Sequence, residues 1–228
     1  MNIKIQNFIE LPDLVTLGNL VCGFLSIIMA MNHDFHLAAI FMILALIFDS
    51  ADGFVARQIG RVDNHEFGKN IDSLSDIVSF GVAPAAFLYS FGHLNAPYID
   101  ILTIIASLFI LICGVLRLTR YNILSDEIDG YVGFPIPGIA IIMASFFLTN
   151  LFNIYIAIII AILISIIMIS DIKYEKMTDK LILGVNCICL LLLILNLPVE
   201  LFGINMAALV VLLTCFEYLI SNIINYIR

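Results

Sequence analysis

Runs of apolar residues dominate this chain, each close to the length that a helix needs to cross a bilayer, about 20 residues. Between them stand short polar or turn-forming pieces: NHDFH, RQIGRVDNHEFGK, GHLNAP, NILSDEIDGYVGFPIPG, TNLFN, SDIKYEKMTDK and NLPVELFG. Eight spans result, at 13–31, 37–58, 68–92, 98–121, 136–150, 152–170, 180–197 and 204–226. The fifth is short, and Pro135 and Pro137 mark its start. Backbone in hydrocarbon must satisfy its own hydrogen bonds, which helices do within one segment. The expected fold is therefore all-α, a polytopic membrane helix bundle. Composition agrees, because 62% hydrophobic and 12% charged residues is not the balance of a soluble domain.

The basic residues fall in order along this pattern. Lys4 precedes span 1, and Arg57, Arg61 and Lys69 surround the loop after span 2. Arg117 and Arg120 end span 4, Lys173, Lys176 and Lys180 follow span 6, and Arg228 ends the chain. With eight spans, all ten lysines and arginines lie on one side of the membrane. The positive-inside rule makes that side cytoplasmic, with both termini there. A missed or invented helix would scatter these charges. The chain reads as one integral membrane domain, 1–228, in the cell membrane, with a core at about 10–145. The segment MNIKIQNFIELPDL does not read as a cleaved signal peptide. It suits a short amphipathic helix at the membrane surface, with Ile3, Ile5, Phe8 and Ile9 as its apolar side. No basic stripe exists to meet phosphates of nucleic acid, which excludes that partner. Cys22, Cys113, Cys187, Cys189 and Cys215 lie in apolar runs without metal-site spacing and read as small hydrophobes.

Against this apolar background two segments carry Asp49, Asp52, Gly53, Ala56 and Arg57, then Gly68, Asp72 and Asp76. Ionisable groups at membrane depth are costly and mark function. Asp49 and Asp52 are three apart and share a helix face. Gly68, Asp72 and Asp76 repeat every four residues and make one stripe on the next helix. Four carboxylates side by side need a cation among them, and hard oxygen ligands suit Mg²⁺ or Mn²⁺. Gly53 and Gly68 leave room for a ligand to approach, and Arg57 offers phosphate a fork of donors. Metal, carboxylate and arginine together describe a phosphate-handling centre. A polar cluster that only ties helices together is the alternative, and four aspartates at these spacings with an arginine disfavour it.

The pattern D-x-x-D-G-x-x-A-R followed by G-x-x-x-D-x-x-x-D resembles the signature of the CDP-alcohol phosphatidyltransferases. One departure is the segment QIGRVDNHEF between Arg57 and Gly68, which is longer than usual in that family and places Asp63 where a small hydroxyl residue is common. LPDLVTLGNLVCGF is similar to the opening helix of the phosphatidylserine synthase branch, with Asp13 in place of the usual Asn. LRLTRYN, GFPIPG and MISDIKY resemble further stretches of that branch, so the likeness runs over roughly 10–180. It implies transfer of a phosphatidyl or archaetidyl group from CDP-diacylglycerol or CDP-archaeol to the hydroxyl of L-serine, with release of CMP. By the same likeness Asp49, Asp52 and Asp72 bind two divalent ions, and Asp76 is the general base and touches the second ion. Gly53, Arg57, Thr16 and Asn19 contact the CDP-lipid, and the enzyme is a homodimer.

Arg117 and Arg120, with Asn122, suit a clamp for the serine carboxylate, or plain anchoring at the cytoplasmic face. His33, His36 and His93 read as interfacial loop residues, and His65 as a solvated one. Glu217, inside the last span, suits an interhelical or dimer contact as well as a substrate role. Two other functions stand beside the main one. Another alcohol acceptor, glycerol 3-phosphate or inositol phosphate, would call for more basic residues near the pocket. A cation-coupled transporter would spread its acids across the membrane depth, whereas these cluster near one face.

Overall fold

The structure, a computed structural model, describes residue 5 and residues 8–60, 66–124, 130–175, 179–197 and 199–227. Lys4, Arg61, Lys176 and Arg228 of the charge argument lie outside these residues, as do Ile3, Asp63 and His65. The helices are α1 (Leu11–Met31), α2 (Phe35–Ile59), α3 (Phe67–Asp76), α4 (Ala83–Asn95), α5 (Asp100–Leu124), α6 (Ile136–Leu148), α7 (Ile154–Met168), α8 (Lys180–Ile194) and α9 (Met206–Ile227). A π-helical segment, Ile77–Val82, joins α3 to α4 as one rod, and a 3₁₀ turn, Pro97–Ile99, leads into α5. Two short antiparallel ladders complete the described chain. Strand β1 (Tyr131–Val132) pairs with β2 (Lys173–Tyr174), and β3 (Glu200–Leu201) pairs with β4 (Ile204–Asn205).

Each of the eight expected spans coincides with one of these rods to within a few residues. Five are long and apolar enough to cross a membrane: Leu11–Met31, Phe35–Ile59, Phe67–Asn95, Pro97–Leu124 and Met206–Tyr226. This is a multi-pass membrane protein. Helices α6, α7 and α8 are shorter, at 13, 15 and 15 residues. At a rise of 1.5 Å per residue they reach only about 20–23 Å. Extended Pro135 marks the start of α6 as expected, and the chain turns out of α7 at Ile169 to make the β1–β2 ladder.

Local chemistry explains where the rods begin and end. Glu10 and Asp13 form a capping box at the start of α1, with the Glu10 N–H donating to Asp13 Oδ2 at 2.8 Å. Asp34, Asn153 and Asp179 cap α2, α7 and α8 through their side-chain oxygens. Gly60 closes α2 in the left-handed conformation at φ 63°. Phe35, Phe87, Phe91, Phe147 and Phe152 pack ring against ring at the end of the bundle far from the aspartates. These five form one cluster. Exposed apolar side chains such as Ile101, Ile105, Ile112 and Ile188 form the outer surface, as a lipid-facing bundle requires. Four of the five cysteines are buried or partly so, while Cys187 is exposed, and all five are free.

One contact sets how closely the first rod meets the third. A β-carbon on Gly23 would lie 2.6 Å from the Ser79 Cα and 2.2 Å from its Oγ. The hydroxyl of Ser79 donates to the Asn19 carbonyl at 3.0 Å across the same seam. Gly23 therefore lets α1 lie against the π-helical segment. Gly23→Ala should separate these rods and lower stability by about 1–3 kcal/mol. Thermal unfolding in detergent micelles checks this; an unchanged midpoint would refute the close-approach role.

Candidate active site

Like charges gather here because three rods converge. The last turns of α2 carry Asp49 and Asp52, α3 carries Asp72 and ends on Asp76, and α1 packs against both helices. One carboxylate oxygen from each of Asp49, Asp52 and Asp72 lies within 4.8 Å of the other two. Asp76 joins the group through a side-chain hydrogen bond with Asp49. Asp52 and Asp76 are buried, and Asp49 and Asp72 partly so. A proton or a cation must lie among carboxylates this close.

Helix α1 orients two of the four. Thr16 Oγ1 donates to Asp52 Oδ2 at 2.6 Å, with the Pro12 carbonyl also in range at 3.1 Å. Asn19 Nδ2 donates to Asp76 Oδ1 at 3.1 Å, and Asn19 itself is fully buried. Its Oδ1 has no partner among the described residues. Immediately after Asp76 the helix widens into its π-helical segment, a device common at functional sites. The donor set is all oxygen and mostly anionic, which fits a hard divalent cation and not zinc or copper.

A cavity of about 320 Å³ opens beside the carboxylates. Thr16, Asp52, Gly53, Gly68, Lys69 and Asp72 line it, with Tyr121 and Asn122 of α5 across from them. A β-carbon on Gly53 would stand 3.3 Å from Arg57 Nη1, the far end of a flexible side chain. The exposed Arg57 thus folds back over Gly53 toward the cavity mouth. So the residues expected to meet a CDP-lipid, Thr16, Asn19, Gly53 and Arg57, all stand at or beside the aspartates.

The residues expected to clamp serine separate into three environments. Arg117 is buried at 4% exposure, and its guanidinium carbon lies 5.2 Å from the Tyr121 ring centre and 5.6 Å from that of Tyr131. Its charge acts on Asp49 and Asp76. Arg120 turns away and donates to the carbonyls of Val132, Met168, Ile169 and Ser170 at 2.8–3.1 Å. Asn122 lines the cavity instead, donating to Ser73 Oγ at 2.7 Å while its carbonyl accepts from Lys69 Nζ at 2.7 Å. Spacing along one helix could not show this, because the groups that Arg117, Arg120 and Asn122 meet come from other segments of the chain. His33, His36 and His93 are exposed in the described chain, with His93 Nδ1 2.8 Å from Asp100. Glu217 is exposed on α9.

Several residues at the site have no counterpart among the expected ones. Lys69 served only the charge argument, although it neighbours Gly68 in the motif. Tyr121 stands four residues after Arg117, a spacing that places a ring beside a guanidinium on one helix face. Tyr131 comes from β1, and no local pattern pointed to it.

A family model for CDP-alcohol phosphatidyltransferase matches residues 9–170. The chain belongs to the CDP-alcohol phosphatidyltransferase family. It is 46% identical over 173 residues to the archaetidylserine synthase of Methanothermobacter thermautotrophicus, covering 76% of this chain and 72% of that one. Identity is 39% over 226 residues with the CDP-diacylglycerol–serine O-phosphatidyltransferase of Methanocaldococcus jannaschii, covering 99% and 98%. With the enzyme of that name from Bacillus subtilis it is 36% over 138 residues, covering 60% and 75%. The aspartate motif, α1 and the β1 strand of this phosphatidyltransferase all fall within the region of the family match.

Mn²⁺ titration of the purified protein, followed by calorimetry, tests the carboxylate cluster. Asp49→Asn, Asp52→Asn or Asp72→Asn should each weaken binding at least about tenfold, or 1.4 kcal/mol. Equal affinity in all three variants would show that these oxygens do not hold the ion.

Proposed function

We propose that this phosphatidyltransferase moves the phosphatidyl or archaetidyl group of a CDP-activated lipid to the hydroxyl of L-serine and releases CMP. One observation carries the chemistry: four aspartates from two helices pool beside a cavity that Gly53, Gly68 and Lys69 help to line. Family membership and the names borne by the relatives support the serine acceptor.

Thr16 and Asn19 hold Asp52 and Asp76 in fixed orientations before substrate arrives, so little reorganisation remains for the reaction. The pyrophosphate takes its place at the cavity between Gly53 and Gly68, with Arg57 reaching its oxygens. Mg²⁺ or Mn²⁺, two ions held by Asp49, Asp52 and Asp72 with Asp76 beside the second, would supply positive charge to the pyrophosphate and the departing phosphate. Serine oxygen attacks the phosphorus on the lipid side. Asp76 takes the hydroxyl proton, a serine hydroxyl being a weak nucleophile without such a base. As the new P–O bond forms, the bond to the bridging oxygen breaks, and CMP leaves with its electron pair. Arg117, buried beside Asp76, pairs with the serine carboxylate.

In this reading the rods cross the membrane eight times, with both termini and the site at the cytoplasmic face. The described basic residues support it, since Arg57, Lys69, Arg117, Arg120, Lys173 and Lys180 all belong to the aspartate end of the bundle. Lipid tails then leave the site toward the bilayer, while serine and CMP exchange with water. The homodimer implied by the family likeness belongs to the same reading.

Incubating the purified protein with CDP-diacylglycerol or CDP-archaeol, Mn²⁺ and one alcohol at a time tests it, with CMP release as the readout. Serine should support release, and glycerol 3-phosphate and inositol phosphate should not. Serine-independent or absent release would overturn the acceptor assignment. Asp76→Asn should lower kcat by about 10²–10⁴ and leave nucleotide binding intact. Unchanged turnover would remove Asp76 from the role of base.

A further inference from the structure

Arg120 was expected beside the acceptor, yet its guanidinium is committed elsewhere. Its Nη2 donates to the carbonyls of Val132, Met168 and Ser170 at 3.0, 3.0 and 2.8 Å. Its Nη1 donates to the Ile169 carbonyl at 3.1 Å and lies 3.4 Å from Asp171 Oδ1. Met168 ends α7, so most of these acceptors are the carbonyls that a helix C-terminus leaves unpaired. The exception is Val132, which lies on β1. One guanidinium therefore pins the β1 strand onto the end of α7, with a fork of donors that lysine cannot reproduce.

The strand is held tightly on its other side as well. Gly133 N–H donates to the Ile172 carbonyl at 2.8 Å, and the ladder pairs Tyr131 with Tyr174 and Val132 with Lys173. Gly133 sits at φ 77°, and a β-carbon there would lie 2.0 Å from the Met168 carbonyl oxygen and 2.5 Å from Arg120 Nη2. Only glycine fits that position. Tyr174 is buried at 1% exposure, and burial pushes its phenol up to about 12. The strap is thus fastened by Arg120, by the ladder and by a buried ring.

What the strap presents is Tyr131. Its ring stands 5.7 Å from that of Tyr121, and the Arg117 guanidinium lies over both. Arg117 is 96% buried by its 4% exposure, its charge acts on Asp76, and its Nε has no hydrogen-bond partner among the described residues. A buried, under-satisfied guanidinium beside a carboxylate base is costly unless an anion completes it.

We propose that Arg120 and Tyr131 are positioning residues for the acceptor: Arg120 fixes the strap, the strap fixes Tyr131, and Tyr131 with Tyr121 holds Arg117 toward Asp76 to receive a small carboxylate-bearing alcohol. This rests on the assignment of Arg117 to the serine carboxylate and extends it to residues that never touch the substrate. Selectivity for an acceptor with a carboxylate then depends on the β1–β2 strap, while the CDP-lipid cavity shares Tyr121 with this clamp but is lined by no residue of the strap itself.

Steady-state kinetics on the full-length protein with serine and CDP-lipid varied in turn provide the test. Tyr131→Ala and Arg120→Lys should raise the serine KM by about fivefold or more, in the range of a lost cation–π contact. The CDP-lipid KM should stay within about twofold of wild type, a split that general loosening of the bundle would not produce. Tyr131→Phe, which keeps the ring face, should behave as wild type. If both KM values rise together, or if Tyr131→Ala leaves the serine KM unchanged, the positioning role is wrong. Should Arg120→Lys fail to fold, Tyr131→Ala decides the matter alone. Arg117→Lys separates the two levels. An unchanged serine KM there defeats the carboxylate assignment itself, whereas a raised one with normal Tyr131→Ala and Arg120→Lys defeats only the strap.

Discussion

Four carboxylates held within a few ångströms of one another, inside an apolar bundle, repel one another and resist burial. The arrangement survives because α1 donates to two of them, through Thr16 and Asn19, and because a proton or a cation can share the remaining oxygens. Much of the surrounding architecture serves this gathering. Gly23 lets α1 approach the π-helical segment, and the Ser79 hydroxyl locks that approach onto the backbone of Asn19. The widened helix after Asp76 belongs to the same seam. A charge cluster of this kind can be stable only where its supports are rigid, and rigid supports are what a phosphoryl-transfer centre requires.

Two arginines three residues apart on α5 illustrate how differently a bundle can use the same side chain. Arg117 points inward, sheathed by Tyr121 and Tyr131, where low dielectric makes its charge felt by Asp49 and Asp76. Arg120 points along the rim and satisfies carbonyls at the end of α7. One arginine supplies charge to the site and the other supplies geometry to its wall. The short β1–β2 ladder links them, so a two-residue strand matters more here than its length suggests.

The length of the apolar runs and the polar breaks between them were enough to place all eight rods, because a chain in hydrocarbon has few ways to satisfy its backbone. The aspartate motif was equally legible, since its three- and four-residue spacings put side chains on one helix face before any tertiary contact forms. The short fifth span beginning after Pro135 was legible too, whereas the end of α7 was not, because it depends on the departure of the chain at Ile169 into a ladder with residues far away in sequence. The destination of Arg120 was hidden for the same reason, as its acceptors lie up to fifty residues along the chain.

From its sequence alone this protein is a helical membrane bundle with an acidic, phosphate-handling motif on neighbouring helices, because hydropathy and helical spacing are local properties. Tertiary structure alone decided which oxygens meet, that Thr16 and Asn19 orient Asp52 and Asp76, and that Arg117 and Arg120 part company. Those outcomes depend on side chains brought together from distant segments, and close packing between rods selects them with no trace in any one stretch of residues.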